Sequence, residues 1–136
     1  MKEVVSKTGK INKNADEVYP LLADFRNLSS IIPEDKIKDW NASEDECDFT
    51  IEGIGKAGMK IVEKEPNKLV KLTSSKETQF DFNIWIQLKQ LEEKDTRVRI
   101  TLKASLNPFM AAMVSGHMQK GVDTIVDKLT EFFNNR

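Results

Sequence analysis

The sequence predicts a single α+β domain, residues 1–136, in which a curved antiparallel sheet of about six or seven strands wraps one long C-terminal helix, with two short helices after the first strand. Three observations carry this. From about residue 45 to residue 104, apolar side chains return at every second position, as in strands with one wet face. From Pro108 to about Phe133 they return with a helical period. Between Asn14 and Ile32 the helical period holds only over short stretches.

Residues about 2 to 11 set Val4, Val5 and Ile11 among Ser, Thr and Lys and read as a first strand. Asn14, with Glu17 three positions on, is a capping box, and Val18, Leu21, Leu22 and Phe25 follow on one helical face. Pro20 inside that pattern should kink or divide the helix. A second short turn, Asn27 to Ile32, stops at Pro33.

Cys47, Phe49 and Ile51 then alternate with Glu46, Asp48, Thr50 and Glu52. Met59, Ile61 and Val62 belong to a next strand ending near Pro66-Asn67, and Leu69 to Ser74 to a third. Phe80, Phe82, Ile84, Ile86 and Leu88 give the clearest alternation, against Gln79, Asp81, Asn83, Trp85 and Gln87. After a turn at Glu92 to Asp95, Val98, Ile100, Leu102 and Ala104 alternate with Arg97, Arg99, Thr101 and Lys103. Short connections between such strands make an antiparallel meander.

Asn107 is a good N-cap, with Pro108 at the first helical position. At about 100° per residue, Met110, Val114, Met118, Gly121, Ile125 and Phe132 form one stripe, flanked by His117, Val122 and Leu129. Asp123, Asp127 and Thr130 fall opposite. The only large apolar surface on which that stripe can lie is the inner face of the sheet.

Composition narrows the function classes. Apolar residues at 39% and charged residues at 32% describe a globular chain. A net charge of −1 lacks the basic stripe of a nucleic-acid binder, and the lysines and acids are interspersed, with no polybasic membrane patch. No stretch approaches the length of a membrane span, so stable membrane insertion is not expected. Met1 to Lys7 lacks the apolar core of a secretion signal, and a single cysteine, Cys47, suits a reducing compartment; both point to the cytoplasm.

Few residues carry chemistry. Gly53-Ile54-Gly55-Lys56-Ala57-Gly58 matches G-x-G-x-x-G literally, but Met59 to Val62 reads as a strand where a dinucleotide site needs a helix, so the glycines read as a hairpin. His117 is the only histidine, too few ligands for zinc, and it reads as a hydrogen-bonded core or cavity residue. Cys47, in register with Phe49 and Ile51, reads as a packed thiol. No metal and no cofactor is called for. Gly121 removes side-chain volume from the middle of the buried stripe, at a helix-propensity cost of about 1 kcal/mol. It marks either close approach to a bulky strand residue such as Phe82 or a notch for a ligand.

The order strand, two short helices, run of strands and long helix resembles the START-like (SRPBCC) superfamily, with its helix-grip fold. That superfamily includes birch-pollen-allergen relatives and the polyketide cyclase/dehydrase group. The residues carrying the resemblance are Ala15-Asp16-Glu17-Val18-Tyr19 and Leu22-Ala23-Asp24-Phe25 followed by Pro33, the glycine-rich Glu52 to Gly58 loop, and Leu106-Asn107-Pro108. They span essentially the whole chain and mark fold, not catalysis.

The resemblance implies a cavity between sheet and last helix that takes a hydrophobic small molecule such as a lipid, sterol or polyketide. Its expected lining is Phe49, Ile51, Met59, Ile61, Phe82, Ile84, Ile100, Leu102, Met110, Val114, His117, Met118 and Gly121, with His117 the polar anchor. One alternative is a polyketide cyclase or dehydratase-like enzyme using His117 as base, assisted by Tyr19 or Asp24. Another is a protein-interaction module acting through its surface, with Trp85 and Trp40 as contacts.

Overall fold

The computed structural model describes residues 1–32, 34–78 and 80–136. The helix stop expected at Pro33 and the strand position Gln79 lie outside the described residues. The strands are β1 (Lys2–Val5), β2 (Gly9–Ile11), β3 (Ile37–Ala42), β4 (Glu46–Ile51), β5 (Gly55–Glu65), β6 (Leu69–Ser74), β7 (Asp81–Glu92) and β8 (Asp95–Ser105). Helix α1 spans Ala15–Leu22, a short 3-10 turn follows at Phe25–Asn27, and α2 spans Pro108–Asn134.

All strands join one eight-stranded antiparallel sheet in the order β1-β8-β7-β6-β5-β4-β3, with β2 also on β8. From β3 to β8 each strand pairs with its neighbour in sequence, the expected meander. The predicted α+β architecture is therefore the observed one.

Three details differ from expectation. The first strand is two: β1 and β2 are separate pairings with β8, parted at buried Ser6. Ser6 Oγ accepts from Ile100 N–H at 2.8 Å and its own N–H donates to Ile100 O at 2.8 Å, so the break keeps its backbone bonded. Second, Pro20 lies inside α1 without dividing it, and the helix runs only two residues beyond it. Phe25 belongs to the 3-10 turn and not to α1. Third, β3 is an additional edge strand containing Trp40.

The two predicted helix starts, at Asn14 and Asn107, are observed, whereas the second short helix expected over Asn27 to Ile32 is replaced by the 3-10 turn at Phe25–Asn27. Glu17 Oε2 accepts from Asn14 N–H at 2.9 Å, the reach-back of the capping box, while Asn14 Oδ1 accepts from Lys94 N–H at 2.7 Å and ties α1 to the β7–β8 turn. Asn107 Oδ1 accepts from Met110 N–H at 2.8 Å and starts α2. The Gly53 to Gly58 stretch opens no helix. Gly53 and Gly55 take φ of 84° and 124° in the β4–β5 hairpin, conformations side chains rarely adopt.

Helix α2 packs on the concave face against β2, β8 and β1. Its buried side chains are Met110, Val114, Met118, Val122, Val126, Leu129 and Phe133. This corrects the expected stripe in its second half: Val122, Val126 and Phe133 are buried, whereas Gly121, Ile125 and Phe132 are half-buried. Steps of four residues drift about 40° around a helix, so a line built from them belongs to a helix crossing the sheet obliquely.

Candidate functional site

Pairing registers align the inner-face side chains in rows across the sheet. One row runs Val4, Leu102, Ile84, Leu72, Ile61 from β1 through β8, β7 and β6 to β5. A second places Ala104 opposite Phe82, and on the far side Met59 opposite Cys47. The alternation read from sequence is what puts these residues on one face.

Two apolar clusters cover that face. The larger joins the C-terminal half of α2 (Val122, Val126, Leu129, Phe133) to Val18, Leu22 and Phe25 and to the sheet. The smaller is Phe82, Ala104 and Met118. Val4, Met59, Ile84 and Leu102 pack against both clusters and remain only half-buried. This apolar seam is the candidate site.

The expected lining residues divide accordingly. Phe49, Phe82, Ile100, Met110, Val114 and Met118 are buried. Ile51, Met59, Ile61, Ile84, Leu102 and Gly121 are half-buried. His117 is exposed, contrary to the core or cavity position expected for it, because the buried line runs through Met118 and Val122. Two open hollows lie elsewhere and contain none of the expected lining. One, of about 600 Å³, is bounded by Asn14, Ala15, Asp16, Asn67, Lys68 and Leu88 to Gln90. The other, of about 360 Å³, lies at Met1, Lys2, Leu106, Ala111 and Ser115.

Gly121 is decided against close approach. A Cβ built there, or at Gly116, meets nothing within 4 Å. Gly121→Ala and Gly116→Ala should each stabilise the protein by up to about 1 kcal/mol through helix propensity alone, read as a higher urea midpoint. A loss of stability in either would show an unseen close neighbour.

The acid–base set weighed for an enzyme is His117 with Tyr19 or Asp24. Tyr19 packs beside the larger cluster. Asp24 caps the 3-10 turn through Arg26 N–H at 2.9 Å, and hydrogen bonds from the Arg26 guanidinium hold its carboxyl below the usual carboxylate range. No hydrogen bond or ion pair among the described residues joins either of them to His117. No group of three or more His, Cys, Asp or Glu among the described residues could hold a metal ion.

Burial pushes the Cys47 thiol up to about 12. It should therefore resist a thiol reagent at pH 8 in the folded protein and react at once in urea; rapid native labelling would contradict the packing. In the unfolded chain the thiol ionises near its ordinary value of 9. Its contribution to stability is thus level below pH 9 and falls as pH rises from 9 toward 12.

Trp40 shows what sequence reading missed. Its ring stacks on Phe49 at 5.5 Å between centroids and meets Phe25 edge-on at 6.3 Å. It is therefore part of the inner packing and not a surface contact. Trp85 does lie on the outer face, with Lys71 and Lys103 ammonium groups 5.1 and 5.5 Å from its ring.

No family model matches the sequence, and no curated protein matches it. Solved structures do. Norcoclaurine synthase from Thalictrum flavum, in complex with dopamine and hydroxybenzaldehyde, superposes with a TM-score of 0.75 at 11% identity, over 99% of this chain and 87% of that one. A START superfamily protein from Mycobacterium smegmatis gives 0.72 at 14% identity, over 98% and 97%. The Aha1 dimer from Colwellia psychrerythraea gives 0.68 at 18% identity, over 98% and 96%.

Proposed function

We propose that this chain, which has the START-like helix-grip fold, binds a hydrophobic small molecule without a cofactor, in the seam between α2 and the middle of the concave face. The carrying observation is the set Val4, Met59, Ile84 and Leu102. These apolar side chains face the interior, touch both clusters, and still keep solvent exposure. An occupant that finished their burial would gain about 25 cal/mol per Å² of apolar surface. The fold's record in a relative solved with two small aromatic compounds supports the same reading.

Native mass spectrometry of freshly purified protein, repeated after solvent extraction and refolding, tests it. A discrete adduct lost on extraction is expected. Ile84→Lys should weaken rebinding of that adduct at least tenfold, since a charge would enter an apolar seam. His117→Ala should leave it unchanged, because His117 is exposed. A seam that stays empty of added apolar compounds would overturn the proposal.

A second reading has its own observation. Phe109 and Met113, one turn apart on α2, are 72% and 36% exposed. Such a pair favours a module acting through its surface on another protein. Phe109→Ser would then abolish a partner interaction while leaving small-molecule binding intact.

A further inference from the structure

Trp85 has no part in the seam, because strand alternation puts it on the opposite face from Ile84 and Ile86, which pack in the larger cluster. The same alternation sorts the charges of three strands. On the outer face Lys71 of β6 is paired with Trp85 of β7, and Trp85 with Thr101 of β8. Along β7 the ring is flanked by Asn83 and Gln87, which are paired with Lys103 and Arg99 of β8. One step further, Lys89 is paired with Arg97. Lys71, Lys89, Arg97, Arg99 and Lys103 therefore share one surface, and no acid stands among them. Acids return at its flanks, with Glu63 of β5 opposite Lys71 and Glu3 of β1 opposite Lys103. In a chain whose net charge is −1, this concentration of cations comes from the fold and not from composition.

Packing alone does not call for this arrangement. Like charges directly opposite one another across two strands destabilise the pair, and Lys89 faces Arg97 in that way. Lys103 is 3.3 Å from Glu3 and Arg97 2.8 Å from Asp95. Lys71, Lys89 and Arg99 are in no ion pair among the described residues. The Trp85 ring, half-buried, holds the Lys71 and Lys103 ammonium groups near it, so two long side chains are partly ordered before any partner arrives. Arg99 is exposed, and its Nε donates to Gln87 Oε1 at 3.4 Å.

We infer that the outer face of β6, β7 and β8 is a docking surface for an extended acidic segment of another protein, a role separate from the seam on the inner face of the same strands. Charge complementarity sets the sign of the partner, and the strand repeat sets its conformation. Arg97, Arg99 and Lys103 occupy outward positions of β8, so their charges recur at about 7 Å or a multiple of it. A segment lying along β8 in extended form carries carboxylates on its own alternate residues at that repeat. The basic strip is two strand spacings wide, about 10 Å, before Glu63 and Glu3 close it. That width admits one extended chain. A nucleic acid fits it poorly, because the ring on which a base would stack already carries two ammonium groups and a phosphate backbone needs a longer basic track.

Three probes test this: the peptide acetyl-Glu-Ser-Glu-Phe-Glu-Ser-Glu-amide, its counterpart with glutamine at every glutamate, and an oligothymidylate of the same charge. Binding is measured by titration calorimetry at low salt. The acidic peptide should bind at least about tenfold more tightly than either of the others, and more weakly as salt is raised. Lys71→Gln combined with Lys103→Gln, checked for folding by circular dichroism, should weaken it at least about tenfold. Lys36→Gln combined with Lys120→Gln removes the same charge from exposed positions elsewhere and should change it less than about twofold. Equal losses in the two double variants would reduce the effect to net charge and overturn the docking surface, as would an acidic peptide that does not bind. An oligothymidylate that binds as tightly would replace the acidic protein segment with a nucleic acid. A readout on the wild type needs no variant to fold: the chain has only two tryptophans, so their indole N–H signals are readily assigned by ¹⁵N NMR. The acidic peptide should shift the Trp85 signal and leave Trp40 in place; the reverse pattern refutes the inference.

Discussion

Phe25→Ala should destabilise the protein by about 3–5 kcal/mol, a large share of the stability of a domain this size. Phe25 has no exposed surface. It sits in the 3-10 turn between α1 and β3, where its N–H donates to Glu44 O at 3.0 Å and its ring meets the edge of Trp40. Removing it deletes a whole ring from the larger cluster and leaves a cavity that the turn, tied to the β3–β4 connection, cannot close. Urea unfolding should show a lower midpoint with an unchanged slope. A loss under 1 kcal/mol would mean that the 3-10 turn does not pack as described.

Gly9→Val should be comparably severe, at about 3 kcal/mol or more, for the opposite reason. A Cβ at Gly9 would stand 2.6 Å from Val126 Cγ1, 2.7 Å from Thr130 Cγ2 and 3.2 Å from Val98 Cγ1. Glycine here is what lets β2 lie directly under α2. Valine must separate them, and with them the Asn12 N–H to Asn134 Oδ1 bond at 2.7 Å and the Asn134 Nδ2 to Lys10 O bond at 3.0 Å. A thermal melt of Gly9→Val beside Gly121→Ala separates the two kinds of glycine: the first should fall sharply and the second rise. A stable Gly9→Val protein would refute the close approach.

The two glycines also mark what the sequence could convey. Gly121 in a helical stripe was visible as an anomaly, yet its neighbourhood was not. Gly9 carries no such signal, because nothing local says that a helix more than a hundred residues away will press upon it. Elements with a strict period were legible: the alternation from Phe80 to Ala104, and Asn107-Pro108 at the start of α2, because hydrogen-bond and capping rules act within a few residues.

β3 was not legible. Its bulge at Asp39 and Trp40 breaks the period by one residue and scatters its apolar positions across both faces. The line of α2 was half legible: Met110, Val114 and Met118 were placed, but the oblique crossing that favours Val122 and Val126 over Gly121 and Ile125 is a property of the packed pair. His117 was misplaced for the same reason. The seam depends on how α2 and the two clusters pack together on the sheet, which no segment encodes alone.

The position of β1 and β2 has a consequence in time. They belong to the first eleven residues of the chain, yet they pair only with β8 and are clamped by α2, the last two elements. The hairpins from β3 to β8 connect neighbours in sequence and close small loops, whereas Ser6 must find Ile100 across 94 residues. Loop closure of that length is entropically costly and slow. During synthesis β1 and β2 have no sheet partner until β8 has emerged. The meander should assemble first, and capture of the opening strand, together with docking of the final helix, should be the concluding and rate-limiting event.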